Sequence, residues 1–319
     1  MRTVVRRLIQ LVVVVLCVTF FSFFLLTLIP GDPVTAIVGF TSPEDHKVIA
    51  HDLHLDQNVF QQYWSWLTHF VRGDLGSQYF GPTGRGKVST VIGQHLPVTL
   101  QLMAYAMILT LVIAIPMGVF AAYRAGTRFD KAANMTAFAC IALPDFALAL
   151  ILSYWVGVKW GWLPAQGYVH PTDDWYGHVK SMALPAISLA VGQIAAYMRL
   201  LRSDMIATLQ EDYILMAKAK GMPTRRVLWR HALRPSSLTL LTVAGINIGA
   251  LIGGTVVIEV IFGIPGMGTQ LYQAIFQRQF VELQSIVAII AIGFVLVNVF
   301  IDVLYSILDP RIRDARAIR

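Results

Sequence analysis

Residues 202–236 read RSDMIATLQEDYILMAKAKGMPTRRVLWRHALRPS, a basic, glycine-broken segment set between two long apolar runs. Its pattern is that of two short helices around a turn. Glu211 and Asp212 stand where a helix start favours anions, Lys218 and Lys220 where its end favours cations, and Gly221 supplies the stop. Pro223 and Thr224 then open a second helical run that carries Arg225, Arg226, Arg230 and Arg234. A two-helix knob projecting between membrane spans is shaped to plug into something. It points to a membrane subunit driven by a soluble partner.

Working outward, composition supplies the membrane. Hydrophobic residues make up 56% of the 319-residue chain and charged ones 13%, against about 25% charged in soluble domains. Six apolar runs stand out: Leu8–Ile29, Val98–Ala122, Ala132–Val158, Ala183–Leu201, Ser237–Phe262 and Ser285–Leu308. Each reaches the roughly 20 residues that a helix needs to cross the hydrocarbon core. Arg2, Arg6 and Arg7 precede the first run, but its apolar core is too long for a signal peptide, whose apolar region is about 7–15 residues. Cys17 and Cys140 both fall within expected spans, so no disulfide framework is implied.

Orientation follows from Lys and Arg. With both ends inside, the inner segments 1–7, 123–131, 199–236 and 309–319 hold 18 of the 25 basic residues, and the short outer loops 159–182 and 263–284 hold three. The expected architecture is therefore all-α, with six transmembrane helices, N- and C-termini cytoplasmic, and the knob on the cytoplasmic side. Residues 1–97 form the first helix and an outer segment; 98–319 form a five-helix core that carries the loop 202–236. The net charge of +7 is then explained by topology and an anionic inner leaflet, and no nucleic-acid partner is expected. The stretch Pro43–Arg72, with Tyr63, Trp64, Trp66 and Phe70, has amphipathic helical spacing that suits the outer interface.

Three chemical signals fail on inspection. Residues 81–88 read GPTGRGKV, but a phosphate-binding loop needs Ser or Thr where Val88 stands. His46, His51 and His54 lack the further ligands of a transition-metal site, so no metal is expected. The sequon at Asn134-Met-Thr136 lies at an inner membrane boundary. Three acidic residues, Asp145, Glu259 and Asp302, lie within or at the edge of spans. An unpaired Asp at a span centre costs about 2.5–3.5 kcal/mol, so such a group faces protein or a watery path. Asp145, in the middle of the third run, reads as either a path-facing carboxylate or a buried packing group beside a helix break. Glu259 and Asp302, near helix ends, read as structural. Asn247 and Thr255, with Gly249, Gly253 and Gly254, suit close packing or a polar lining equally well.

Across nearly the whole chain the sequence resembles the permease subunits of bacterial dipeptide and oligopeptide ABC importers, the branch that also includes nickel and glutathione permeases. The resemblance is carried by Ile29-Pro30-Gly31-Asp32-Pro33, Gly73-Asp74-Leu75-Gly76, Ile115-Pro116-Met117-Gly118, Leu184-Pro185-Ala186, Phe262-Gly263-Ile264-Pro265-Gly266-Met267-Gly268, Asp302-Val303-Leu304-Tyr305 and Leu308-Asp309-Pro310-Arg311-Ile312-Arg313. The loop resembles that family's EAA coupling segment through Glu211-Asp212-Tyr213, Ala217-Lys218-Ala219-Lys220-Gly221 and His231-Ala232-Leu233-Arg234. The sequence departs from the family where Leu215-Met216 replace Glu-Ala, where Pro235-Ser236 replace Asn-Ala, and where Thr239 replaces Pro.

The resemblance implies the type I importer (MetI-like) fold in a bacterial inner membrane. It implies uptake of short peptides by ATP-driven alternating access, with no catalysis in this chain and no cofactor bound by it. ATP and Mg²⁺ would sit on two cytoplasmic ATP-binding subunits, docked on the loop at Glu211, Asp212, Tyr213, Ala217, Ala219, Gly221, Arg225, Arg226, His231 and Arg234. Ala217 and Ala219 would let that partner approach closely. A second, similar permease subunit (a heterodimer rather than a homodimer), an extracytoplasmic binding protein, the peptide and membrane lipid complete the expected partners. Asp145, Asn247 and Thr255 are the candidate path residues. The alternatives are a nickel or glutathione permease of the same branch, or a proton-coupled secondary transporter that uses Asp145 and Asp302.

Overall fold

Pro144 divides the third expected span in two. Proline cannot continue a helix and pushes the residue before it out of the α region. Leu143 is accordingly extended (φ −85°, ψ 121°), and the chain turns through 95° between Arg128–Ala142 and Asp145–Lys159. The expected run Ala132–Val158 is thus two helices, with the break that the sequence placed beside Asp145 standing at Leu143–Pro144.

The structure is a computed structural model and describes residues 2–28, 34–35, 46–47, 50–51, 57–80 and 84–308. Outside these lie the motif at 29–33, His54, residues 81–83 of the glycine-rich stretch and the tail 309–319. The elements are α1 (Arg2–Thr27), α2 (Val59–Val71), strands β1 (Ser77–Phe80) and β2 (Gly84–Lys87), α3 (Val88–Tyr123), α4 (Arg128–Ala142) and α5 (Asp145–Leu152), which continues as a π-helical turn over Ser153–Lys159. Then follow α6 (Trp175–Thr208), α7 (Asp212–Ala219), α8 (Thr224–Arg226), a π-helical turn over Val227–Ala232, α9 (Leu233–Phe262), α10 (Met267–Phe276) and α11 (Phe280–Leu308). Among the described residues three helical stretches are long and apolar enough to cross a membrane: Val88–Tyr123, Trp175–Thr208 and Phe280–Val299. The count rises to five if α4 with α5, and Thr224–Gly249 with Leu251–Phe262, each make one bent crossing.

The chain divides into two compact units, Met1–Leu100 with Pro265–Leu296, and Gln101–Ile264 with Val297–Arg319. In the first, α2 buries Tyr63 and Trp66 beside Phe20, Phe23 and Phe70. The Tyr63 hydroxyl meets Thr19 Oγ1 at 3.0 Å, and Trp66 Nε1 donates to Ser285 Oγ at 3.2 Å. The part of the expected amphipathic stretch that is described thus packs one face inward while Trp64 stays exposed. Gly84 and Gly86 are antiparallel strand residues paired with Phe80 and Gln78. Their backbone is held in a ladder and does not form a phosphate cradle.

In the second unit α6 is the central element. It buries Tyr197, Met198, Leu201 and Met205 in one cluster with Ala114 and Val119 of α3, Ala133 and Ala137 of α4, and Leu240 and Ala244 of α9. Asp130 at the start of α4 is the charged member of this region. It receives Arg202 Nε and, at 2.6 Å, Arg202 Nη2, together with Asn134 Nδ2 and the Gly126 N–H, both at 2.9 Å. The sequon asparagine is therefore engaged inside a helix.

Candidate functional site

The segment 209–223 joins the ends of two long helices, and one short helix, α7, fills it. Glu211 is its extended N-cap residue (φ −67°, ψ 144°), Asp212 lies in its first turn and Lys218 in its last. The end is a Schellman turn. Gly221 takes φ +74°, its N–H donates to Lys218 O at 2.9 Å, and the Met222 N–H donates to Ala217 O at 3.2 Å. No heavy atom lies within 4 Å of where a Gly221 side chain would begin, so backbone conformation, not crowding, is what asks for glycine.

The second half differs from the expectation of two short helices. From Thr224 the chain is helical through to Phe262, with the π-helical turn 227–232 standing just before Pro235. Pro235 has no N–H to give to the carbonyl four residues back, so the ladder is interrupted there whatever its form. The run stays attached because Val227, Leu228 and Ala232 are buried in the same cluster as Met205 and Ile214. Ser236, one of the departures from the family pattern, is also buried. Its Oγ donates to Ala232 O and meets Thr208 Oγ1, each at 2.9 Å, tying the end of α6 to the following helix.

α7 has an inner and an outer face. Ile214 is fully buried and Ala217 is 6% exposed, both packed against this unit's own core. Ala217 therefore does not admit a partner, contrary to expectation: helical spacing placed it on the same side as Ile214, where packing claims it. Ala219 and Gly221 are exposed. The outer face carries Tyr213, Leu215 (52% exposed) and Met216 (59% exposed), with Trp229 also exposed. Glu211, Asp212, Lys218, Lys220, Arg225, Arg226, Arg230 and Arg234 are exposed around them, and His231 is half-buried. Burial, and then the charge of Glu211, push the Tyr213 phenol above its ordinary range. The exposed side of α7 is thus apolar at Leu215 and Met216, in a loop whose exposed charges are mainly cationic. Leu215 and Met216 were read only as departures from a motif. That they are exposed while Ile214 and Ala217 are buried needed the tertiary structure.

The path candidates do not form one cluster. Asp145 is half-buried at the first position of α5, and a Cβ built on Gly192 of α6 would lie 3.4 Å from its Oδ1. The half-buried Asn247 of α9 faces the Tyr197 hydroxyl of α6. Thr255 is buried and its hydroxyl donates to Ile252 O of its own helix at 2.9 Å, so it spends its donor on backbone. Glu259 is fully buried, as a structural residue would be; the Asp302 side chain lies outside the described residues. Among the described residues no group of three or more His, Cys, Asp or Glu could hold a metal ion.

Comparison with known proteins matches residues 114–314 to the model of the binding-protein-dependent transport system inner membrane component, and residues 1–103 to the N-terminal model of the same transport systems. The oligopeptide transport system permease protein AppB of Bacillus subtilis is 35% identical over 313 residues, covering 97% of this chain and 98% of that protein. The dipeptide transport system permease protein DppB of Alkalihalophilus pseudofirmus is 32% identical with the same coverage of each chain. The di/tripeptide transport system permease protein DppB of Pseudomonas aeruginosa is 33% identical over 98% of this chain and 99% of its own.

Proposed function

The chain belongs to the binding-protein-dependent transport system inner membrane component family, and from that premise we infer how it works. It is the permease subunit of an ABC importer of short peptides, a multi-pass protein of the bacterial inner membrane, and a transport subunit rather than an enzyme. ATP-binding subunits and a substrate-binding protein are its partners. The observation that carries the mechanism is the outer face of α7, apolar at Leu215 and Met216 and held out between α6 and the helix beginning at Thr224.

An ATP-binding subunit docks on that face. Its closure on ATP, with Mg²⁺ on that subunit, moves α7 together with the two long helices to which α7 is packed, and so changes the side of the membrane to which the path opens. Coupling in this scheme runs through Tyr213, Leu215, Met216, Ala219 and the surrounding arginines, while Ala217 and the Gly221 turn hold the knob to its base. The chain crosses the membrane six times with both ends inside, a reading supported by the 18 basic residues on the inner segments. Its membrane partner is a second, different permease subunit. Asp145 and Asn247 line the path, with Thr255 in a packing role on the same helix as Asn247. The chain itself binds no cofactor.

The test is purification of the tagged protein from membranes. The wild type brings ATP-binding subunits and a second permease with it. Gly221→Trp inserts into the membrane but loses the ATP-binding subunits, because a side chain at φ +74° distorts the turn that presents α7. A wild type that purifies alone and takes up substrate along a proton gradient would refute the reading.

A further inference from the structure

The second unit treats two carboxylates in opposite ways. Asp130 is surrounded by donors: the Arg202 guanidinium, the Asn134 amide and the Gly126 N–H. Asp145 has no hydrogen-bond or ion-pair partner among the described residues, although it is half-buried and lies in the run that crosses the membrane. A charge in that position is costly unless something external meets it. The facing residue of α6 is Gly192, which leaves the space before Oδ1 open. The break at Leu143–Pro144 also ends α4 at Ala142, so the last carbonyls of α4 leave their helix close in sequence to the carboxylate. Carbonyls freed at a helix break and an unpaired carboxylate suit a cation or a strong N–H donor, and broken helices at membrane depth are tolerated where they line a cavity.

Resting on the peptide-importer reading, we propose that Asp145 is the counter-charge that receives the α-ammonium of a peptide in transit. A peptide carries one such ammonium whatever its side chains are, so one carboxylate serves cargo of varied sequence. The carboxylate replaces hydration that the ammonium loses on entering the path.

Two measurements on the intact transporter, purified with the subunits that accompany it, test this. The first is ATP-dependent uptake of tri-alanine into proteoliposomes. Asp145→Asn lowers uptake by about tenfold to a hundredfold, the range for losing one hydrogen-bonded charge. Asp145→Glu keeps most of it, and both variants retain the ATP-binding subunits and ATP hydrolysis. The second places a cysteine at Asp145→Cys in a Cys17→Ala/Cys140→Ala background and applies a positively charged methanethiosulfonate reagent. The thiol reacts during turnover, and tri-alanine slows the reaction. Uptake by Asp145→Asn at the wild-type rate, or a thiol that is unreactive or unprotected by tri-alanine, overturns the assignment while leaving the importer reading intact. A wild type without ATP-dependent uptake of tri-alanine overturns the peptide reading, and this assignment with it.

Discussion

Removing Arg202 tests how firmly the base of the loop 209–223 is held. Its guanidinium makes two bonds to Asp130, whose side chain is 5% exposed against 24% for Arg202. Arg202→Met keeps much of the aliphatic stem and deletes the charge, leaving a buried carboxylate that retains only the Asn134 and Gly126 donors. Breaking one side of a buried pair costs about 3–5 kcal/mol, and the partial exposure of Arg202 selects the lower end. At about 2 °C per kcal/mol for a chain of this size, the midpoint of thermal unfolding falls by about 6 °C. Asp130→Asn leaves Arg202 without its counter-charge, but near enough to water to be partly solvated, so it costs less. Combining the two removes both charges, and the pair then shows a coupling energy of about 2 kcal/mol, with the double variant no worse than Arg202→Met alone. The assay is tryptophan fluorescence of the detergent-solubilised protein during heating, run on all four members of the cycle. A fall under about 2 °C for Arg202→Met, or strict additivity in the double variant, would show that the pair behaves as a solvated surface contact and that the reasoning is wrong.

Three further outcomes follow from the loop. Leu215→Asp and Met216→Asp leave the unfolding midpoint within about 1 °C of the wild type, as exposed positions do, yet abolish co-purification of the ATP-binding subunits; retention of those subunits would place docking elsewhere. Ala217→Leu does the reverse at first, overpacking the core beside Ile214 for about 1–3 kcal/mol, read as a lowered midpoint; an unchanged midpoint would mean that α7 does not pack as described. Ser236→Ala removes the link to Thr208 at a cost of about 1 kcal/mol and slows ATP-coupled transport more than ATP hydrolysis; equal loss of both would deny the link a role in transmission.

Much of this could be read in the chain without its structure, because it rests on short-range physics. Apolar runs long enough to cross a bilayer, the bias of Lys and Arg to one set of loops, and the acidic start and glycine stop of α7 each depend on residues within a few turns of one another. The ordered motifs from Ile29 to Arg313 pointed to the family, and the comparisons bear that out. Pro144 was visible too, but as one proline in an apolar run it signals a kink without fixing its size. The 95° turn depends on what α4 and α5 each pack against.

Other features belong to the tertiary structure alone. Ala217 and Ala219 are two residues apart and chemically identical, yet the core claims one and leaves the other open. Asp130 and Arg202, 72 positions apart, meet only because α4 lies along α6. Asp145 stood out in the sequence as an intramembrane carboxylate, but its contrast with Asp130 did not, since whether a buried charge is satisfied depends on donors that long-range packing delivers or withholds. Local sequence determined which segments are helical and which are apolar; the faces they present, and the charges left unmet, were decided when the helices came together.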